Sequence, residues 1–425
     1  MDHFVYRDGQ LYCEDLPAVD IAEQVGTPVY VYSRATILDH YRRIAEAFAE
    51  LDPVICYSIK SCSNTHICRL LAEAGAGFDV VSGGELFRAL QAGGDPAKIA
   101  FAGVGKTDRE INEAIDAGIG LLTVESEGEL ANIARIAGER QTEVSAALRI
   151  NPDVDPKTHR YTSTGKRETK FGVDLARARR AFEDFGRDRY LRLRGVHLHI
   201  GSPINSVEPY VEAIGKALQL VDELRDAGFQ VDSFDIGGGF GADYQQNQAP
   251  LAADYAGAIV PLLRDRGLRV VMEPGRSIMG NAGILLARTQ YTKVSGDKQF
   301  VIVDAANTDL IRPNLYGAFH FIWPAQPPAG LEPTCREEGL RMAGTVSVDV
   351  VGPVCETGDF LGLDRHLPPV QRGDLLAVFT AGAYGFAMSS QYNSRCRAAE
   401  VLVAGSDYRI IRRRETYADL VQAEW

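Results

Sequence analysis

The sequence offers little for disulfide chemistry. Its seven cysteines, Cys13, Cys56, Cys62, Cys68, Cys335, Cys355 and Cys396, are an odd number scattered over 425 residues, unlike the dense framework that staples small secreted domains. A reducing cytoplasm suits them, and a cytoplasmic protein is expected. Cys56, Cys62 and Cys68 form no CxxC pair and no second cluster follows, so no metal site is expected. No apolar run approaches the ~18 residues that would cross a bilayer, and the charged opening MDHFVYRDGQLYCEDL lacks a signal-peptide core. No membrane partner is expected. Positive charge is also short: 45 Lys plus Arg face 57 Asp plus Glu, a net charge of −12, which argues against nucleic acid as the main partner.

What is present is an ordinary globular composition, with 45% hydrophobic and 24% charged residues, in a chain long enough for two or three domains or for one large barrel with an addition. From residue 54 one unit repeats, a short apolar run ending in a polar residue or glycine and followed by a helical pattern. The runs are VICYSIK (54–60), FDVVS (78–82), IAFAG (99–103), LLTVES (121–126), SAALRIN (145–151), GVHLHIG (195–201), SFDIGGG (233–239) and VVMEPG (270–275). Apolar strands alternating with helices predict a parallel sheet covered on its outer face. Eight units, with no GxGxxG after the first, predict an α/β fold built on a closed (β/α)8 TIM-type barrel rather than an open doubly wound sheet. A long polar loop (152–172) after the fifth run is a candidate for site construction.

After residue 280 the pattern becomes period-two strands, at 283–294, 299–305, 345–352, 374–380 and 399–405. FVYRDGQLYC (4–13) reads as a hairpin around Asp8-Gly9. The expected division is a barrel over 28–280 and a β-rich domain made of 1–27 plus 281–425.

Active sites of such barrels form where strand C-termini meet, and these ends are rich in chemistry. The first run ends in Lys60, where desolvation favours a nucleophilic amine able to form an imine. The seventh ends in Gly237-Gly238-Gly239, whose backbone N–H groups suit a phosphate. Of His197 and His199 on the sixth, one is expected to point inward. The eighth ends in Glu273-Pro274-Gly275-Arg276, a carboxylate and a guanidinium together. Taken alone, the lysine reads as a snorkelling side chain, the glycines as a turn and each histidine as core. Pyridoxal 5'-phosphate asks for the whole set: a lysine for its aldehyde, N–H donors for its phosphate and an anion for its pyridine nitrogen.

The motifs YSIK, FDVVSGGEL, INPDVDPKTHRYTSTGKRETKFG, HLHIGS, DIGGGFG, EPGR, DLIRPNLYGAFH, GPVCETGDFL and GAYGFAMSSQYNSR follow one another along the chain. In that order, and nearly end to end, they resemble the fold-type III, alanine-racemase-like pyridoxal-phosphate decarboxylases, specifically the branch that acts on diaminopimelate. The resemblance implies decarboxylation of meso-2,6-diaminopimelate to L-lysine and carbon dioxide. It makes Lys60 the Schiff-base lysine, His199 the ring that stacks on the cofactor and Glu273 the partner of the pyridine nitrogen. Asp79, Ser202, Gly237, Gly238, Gly239, Gly275, Arg276 and Tyr384 would complete the cofactor site. Arg276, Arg312 and Tyr316 would hold the substrate carboxylate, Tyr384 would also contact the substrate, Glu356 would take the distal ammonium, and Cys355 would donate the proton. Cys355 and Glu356 would come from the neighbouring subunit, which implies a homodimer with composite sites. Negative charge at Glu356 and Asp359 would keep the Cys355 thiol protonated, as an acid requires. A related decarboxylase for ornithine or carboxynorspermidine, a racemase and a non-catalytic carrier are the other readings. Cys355, Glu356 and Arg312 count against the last two.

Overall fold

The connections after the early strands carry Asn64, Ser82, Thr107 and Ser126, side chains that accept from backbone N–H groups at the first turn of the helix that follows. Strand and helix therefore alternate from local chemistry alone. The computed structural model describes residues 2–155 and 170–425. The chain divides into two units, one of Tyr41–Gly241 with Ala249–Gly275, the other of Met1–His40, Ala242–Gln248 and Arg276–Trp425.

The first unit is the closed barrel. Its strands are β1 (Val54–Ser58), β2 (Gly77–Val80), β3 (Ile99–Phe101), β4 (Leu121–Val124), β5 (Val144–Asn151), β6 (Leu191–His197), β7 (Ser233–Asp235) and β8 (Arg269–Met272). Each pairs in parallel with the next, β8 pairs with β1, and the ring closes without an edge. Phe78, Phe101 and Phe234 are fully buried in it, each stabilising the fold by about 1.5–3 kcal/mol. Helices Thr65–Glu73, Gly83–Gln91, Asp108–Ala117, Glu127–Arg140, Leu175–Phe185, Glu208–Asp226 and Ala252–Leu263 follow β1 to β7 in turn. Most of the long 152–172 loop, residues 156–169, lies outside the described residues.

The second unit is β-rich. Its main sheet runs in the order Phe360–Leu367, Val346–Val351, Lys298–Val303, Gly283–Ser295, Val29–Ser33, Ala399–Ala404, Asp407–Arg412. The N-terminal hairpin pairs Phe4 with Cys13 and Arg7 with Gln10, turning on Asp8 and Gly9, both at positive φ. The expected boundaries at 28 and 280 move to 40 and 275. Val29–Ser33 reads as a barrel lead-in, yet it pairs with Gly283–Leu286 on one side and Ala399–Val403 on the other. Those partners are far away in sequence, so no local pattern announces them.

Candidate active site

Lys60 stands just past β1 in a short 3-10 turn, Ile59–Ser61. Its Nζ donates to Asp79 Oδ2 at 2.6 Å, and Ser58 Oγ donates to the same oxygen at 2.6 Å. The lone desolvated amine expected at this strand end is thus one half of an ion pair. Asp79 lies within β2 and is fully buried. Burial, then the nearby Glu273 charge, raises its pKa, while Lys60 pulls it back. Gly275 is required by close approach: a Cβ there would lie 2.9 Å from Ser58 Cβ.

Glu273 follows β8 directly. Its Oε2 lies 3.3 Å from His197 Nε2, and its Oε1 has no hydrogen-bond partner among the described residues. Burial alone would raise its pKa; His197 and Lys60 outweigh burial and hold the carboxylate well below the usual range. Asp235, at the end of β7, is driven the other way by burial and by the Glu273 charge. Polar atoms of His197, Asp235 and Glu273 lie within 4.8 Å of one another. The outcome is one carboxyl kept anionic beside one pushed towards its neutral form.

Both histidines belong to this region, which corrects the expectation that only one would. β6 ends at His197, so strand alternation does not govern His199 just beyond it, and His197 is among the charges acting on His199. His199 is pushed well below the ordinary imidazole range by burial, by Arg149 and by Lys60, so its ring is neutral. Its backbone carbonyl accepts from Arg149 Nη2 at 3.2 Å, while Arg149 Nη1 pairs with buried Glu125 at 3.0 Å. Sequence reasoning did not single out Arg149 or Glu125. A buried arginine inside the apolar run SAALRIN was the available signal.

The glycine run differs in one respect from expectation. Gly237 N–H donates to Asp235 Oδ1 at 2.8 Å and Gly238 N–H to His199 Nδ1 at 3.3 Å. Two of the three expected phosphate donors are therefore engaged within the protein. Crowding explains the glycines: a Cβ on Gly237, Gly238 or Gly239 would lie 2.1, 2.2 or 2.3 Å from the carbonyl oxygens of Leu198, Glu273 and Gly201. Ser202 follows Gly201 in the same connection.

In the β-rich unit, Arg276 and Arg312 are both buried. Their Nη1 groups donate to one atom, Tyr244 Oη, at 2.7 and 2.6 Å. Arg276 also lies 4.8 Å from the Tyr384 ring centroid, and Arg312 lies 6.0 Å from that of Tyr316. No carboxylate comes within ion-pair distance of Arg312 among the described residues, and its buried Nε lacks a partner. A desolvated cation in that state is a receptor for an anion.

Cys355 is exposed, and its Sγ donates to Asn393 Oδ1 at 3.3 Å. Glu356 accepts from Tyr392 Oη at 2.6 Å. Asp359 is buried and accepts from Asn307 and Val354 N–H, so its first task is to build this loop.

A lysine for an aldehyde, a neutral imidazole and an anionic carboxyl with a spare buried oxygen are the groups a protonated pyridine aldehyde needs, so the residues fit pyridoxal phosphate. Fold and site together define a pyridoxal-phosphate enzyme of the (β/α)8 class. Residues 34–280 match the family described as "Pyridoxal-dependent decarboxylase, pyridoxal binding domain". Among curated proteins, the diaminopimelate decarboxylase of Pseudomonas aeruginosa is 47% identical, with 100% of this chain and 99% of that protein covered. That of Aquifex aeolicus is 46% identical, with 98% and 96% covered. The chain belongs to the diaminopimelate decarboxylase family. A solved structure of the Helicobacter pylori enzyme, complexed with L-lysine, superposes with a TM-score of 0.89 at 39% identity, covering 96% of this chain and 98% of that one.

Proposed function

We propose that this chain decarboxylates meso-2,6-diaminopimelate to L-lysine and carbon dioxide. The observation that carries the substrate reading is Arg312, a buried cation with no carboxylate partner of its own among the described residues and an unpaired N–H. A substrate that keeps one carboxylate after losing another satisfies that demand. An amine with no second carboxylate would leave it open.

Pyridoxal phosphate, when bound, supplies the electron sink for the pair left by the departing carboxylate. Lys60 is the covalent anchor, and Asp79 holds its nitrogen in place. Glu273 is the counter-anion for the pyridine nitrogen, kept charged by His197. The neutral His199 ring gives a flat face, held by the Arg149 contact to its carbonyl. Gly239, Ser202, Arg276 and Tyr384 serve the phosphate side, with Gly237 and Gly238 shaping the turn. Arg276, Arg312, Tyr316 and Tyr384 orient the retained carboxylate, and bidentate guanidinium contacts suit that work. Glu356 receives the distal ammonium. The Cα–carboxylate bond breaks, carbon dioxide leaves, and Cys355 delivers a proton to the carbon that lost it.

Cys355 and Glu356 would act across a homodimer interface, and the enzyme would work in the cytoplasm. No helix of the described residues is long and apolar enough to cross a membrane. Carbon dioxide release from a panel containing meso-diaminopimelate, lysine, ornithine and carboxynorspermidine, with pyridoxal phosphate added, tests the reading. Release from diaminopimelate at least tenfold faster than from the others is expected. Preference for any other member overturns it.

A further inference from the structure

Tyr244 belongs to no motif in the sequence, yet it is the common acceptor for two buried guanidiniums. Its position is fixed from both sides. Asn281 Oδ1 accepts from Asp243 N–H at 3.1 Å, Asn281 Nδ2 donates to Asp243 O at 2.6 Å, and Thr380 Oγ1 donates to that same carbonyl at 3.1 Å. The ring edge meets His320 at 5.4 Å between centroids, nearly perpendicular. Arg312 and Arg276 lie 4.7 and 5.9 Å from the Tyr244 ring centroid. Two like charges desolvated together repel strongly, and a single oxygen between them offsets that repulsion while leaving other guanidinium N–H groups to turn elsewhere. Burial would raise the phenol's pKa, but the two arginines outweigh it and lower it.

We infer that Tyr244 is a positioning residue: it pins Arg276 and Arg312 to one point so that they present a preformed receptor for the carboxylate that the substrate keeps. The assignment rests on the proposed reading of those arginines as carboxylate ligands. It concerns the binding of the retained carboxylate, which L-lysine shares with the substrate, and leaves the bond-breaking chemistry to other residues. A preformed pair is worth more than two free side chains because its ordering cost is met on folding rather than on binding.

The test compares Tyr244→Phe with wild-type holoenzyme for two ligands, L-lysine and pentane-1,5-diamine, which is the same chain without the carboxylate. Dissociation constants are measured by calorimetry, alongside KM and kcat for meso-diaminopimelate. Loss of a hydrogen bond to charged groups predicts L-lysine binding and KM weakened roughly tenfold or more in Tyr244→Phe. Diamine binding and kcat should change less than about threefold. Tyr244→Gln, whose side-chain oxygen still accepts, should bind L-lysine within about tenfold of wild type, and it carries the test should Tyr244→Phe fail to fold. Unchanged L-lysine affinity in Tyr244→Phe, or equal weakening of both ligands, overturns the assignment. If Tyr244→Phe does not fold, loss of L-lysine binding in Tyr244→Gln overturns it as well. Wild type that releases no carbon dioxide from diaminopimelate overturns the functional reading, and this inference with it.

Discussion

Arg149 holds His199 by its backbone: the guanidinium donates to the His199 carbonyl at 3.2 Å while it is ion-paired with Glu125 at 3.0 Å. Glu125 also accepts from the N–H groups of Gly103 and Gly172, so one buried pair ties the ends of several barrel strands to the imidazole. Arg149→Ala leaves the Glu125 charge buried and unpaired, which should cost about 3–5 kcal/mol. Chemical denaturation measures it, and a loss below about 1 kcal/mol contradicts the buried-pair account. The double variant Arg149→Met with Glu125→Gln should recover part of the loss.

Lys60→Ala should abolish the visible absorbance that pyridoxal phosphate gives the reconstituted protein after gel filtration, because the proposed covalent anchor is gone. Retention of the band would place the anchor elsewhere.

Glu273→Gln removes the charge that His197 keeps in place. If Glu273 serves the pyridine nitrogen as proposed, a neutral partner would leave that nitrogen unprotonated and a weaker electron sink, so kcat should fall at least about 100-fold while cofactor remains bound. A kcat within tenfold of wild type would show that the carboxylate is structural.

Cys355→Ala should keep the cofactor absorbance and lower kcat roughly 10²–10⁴-fold, the usual scale for loss of a general acid. Mixing Lys60→Ala chains with Cys355→Ala chains should then restore roughly a quarter of wild-type activity if sites are shared across a dimer, since half of random dimers are mixed and each carries one intact site. Verified mixed dimers with no recovered activity would make each site self-contained.

His320 predicts a pH dependence of stability. Burial, with the Arg312 charge second, lowers its pKa to about 3 in the folded protein, against roughly 6.5 when unfolded. The unfolded chain therefore takes up a proton first. The contribution to stability is fully present above pH 6.5 and is lost as pH falls towards 3, by up to about 4 kcal/mol. His320→Asn, which can still donate to the Phe379 carbonyl that accepts from Nδ1 at 3.0 Å, should show a shallower fall in melting temperature between pH 7 and pH 4. Parallel curves would exclude His320 as the titrating group.

The barrel was legible because a parallel strand needs an apolar run, a local signal that recurs eight times before residue 280, and because polar starters cap five of the seven helices between the strands. Lys60, His199 and Glu273 were legible for the same reason, since strand ends collect at one rim. The boundary at Val29–Ser33 was not, because its sheet partners lie beyond residue 280. Tyr244 was also missed: its arginine partners are 32 and 68 residues away, and GADYQQN carries no recognisable pattern.

The sequence by itself determined the kinds of element, their order, and which reactive side chains end up at strand termini, because periodicity and capping act over a few residues. The tertiary structure alone decided the states of those side chains: Lys60 paired with Asp79, Glu273 held anionic beside His197, His199 neutral, and two arginines sharing one phenol. Charge state depends on distance and burial through space, and neighbours along the chain do not encode either.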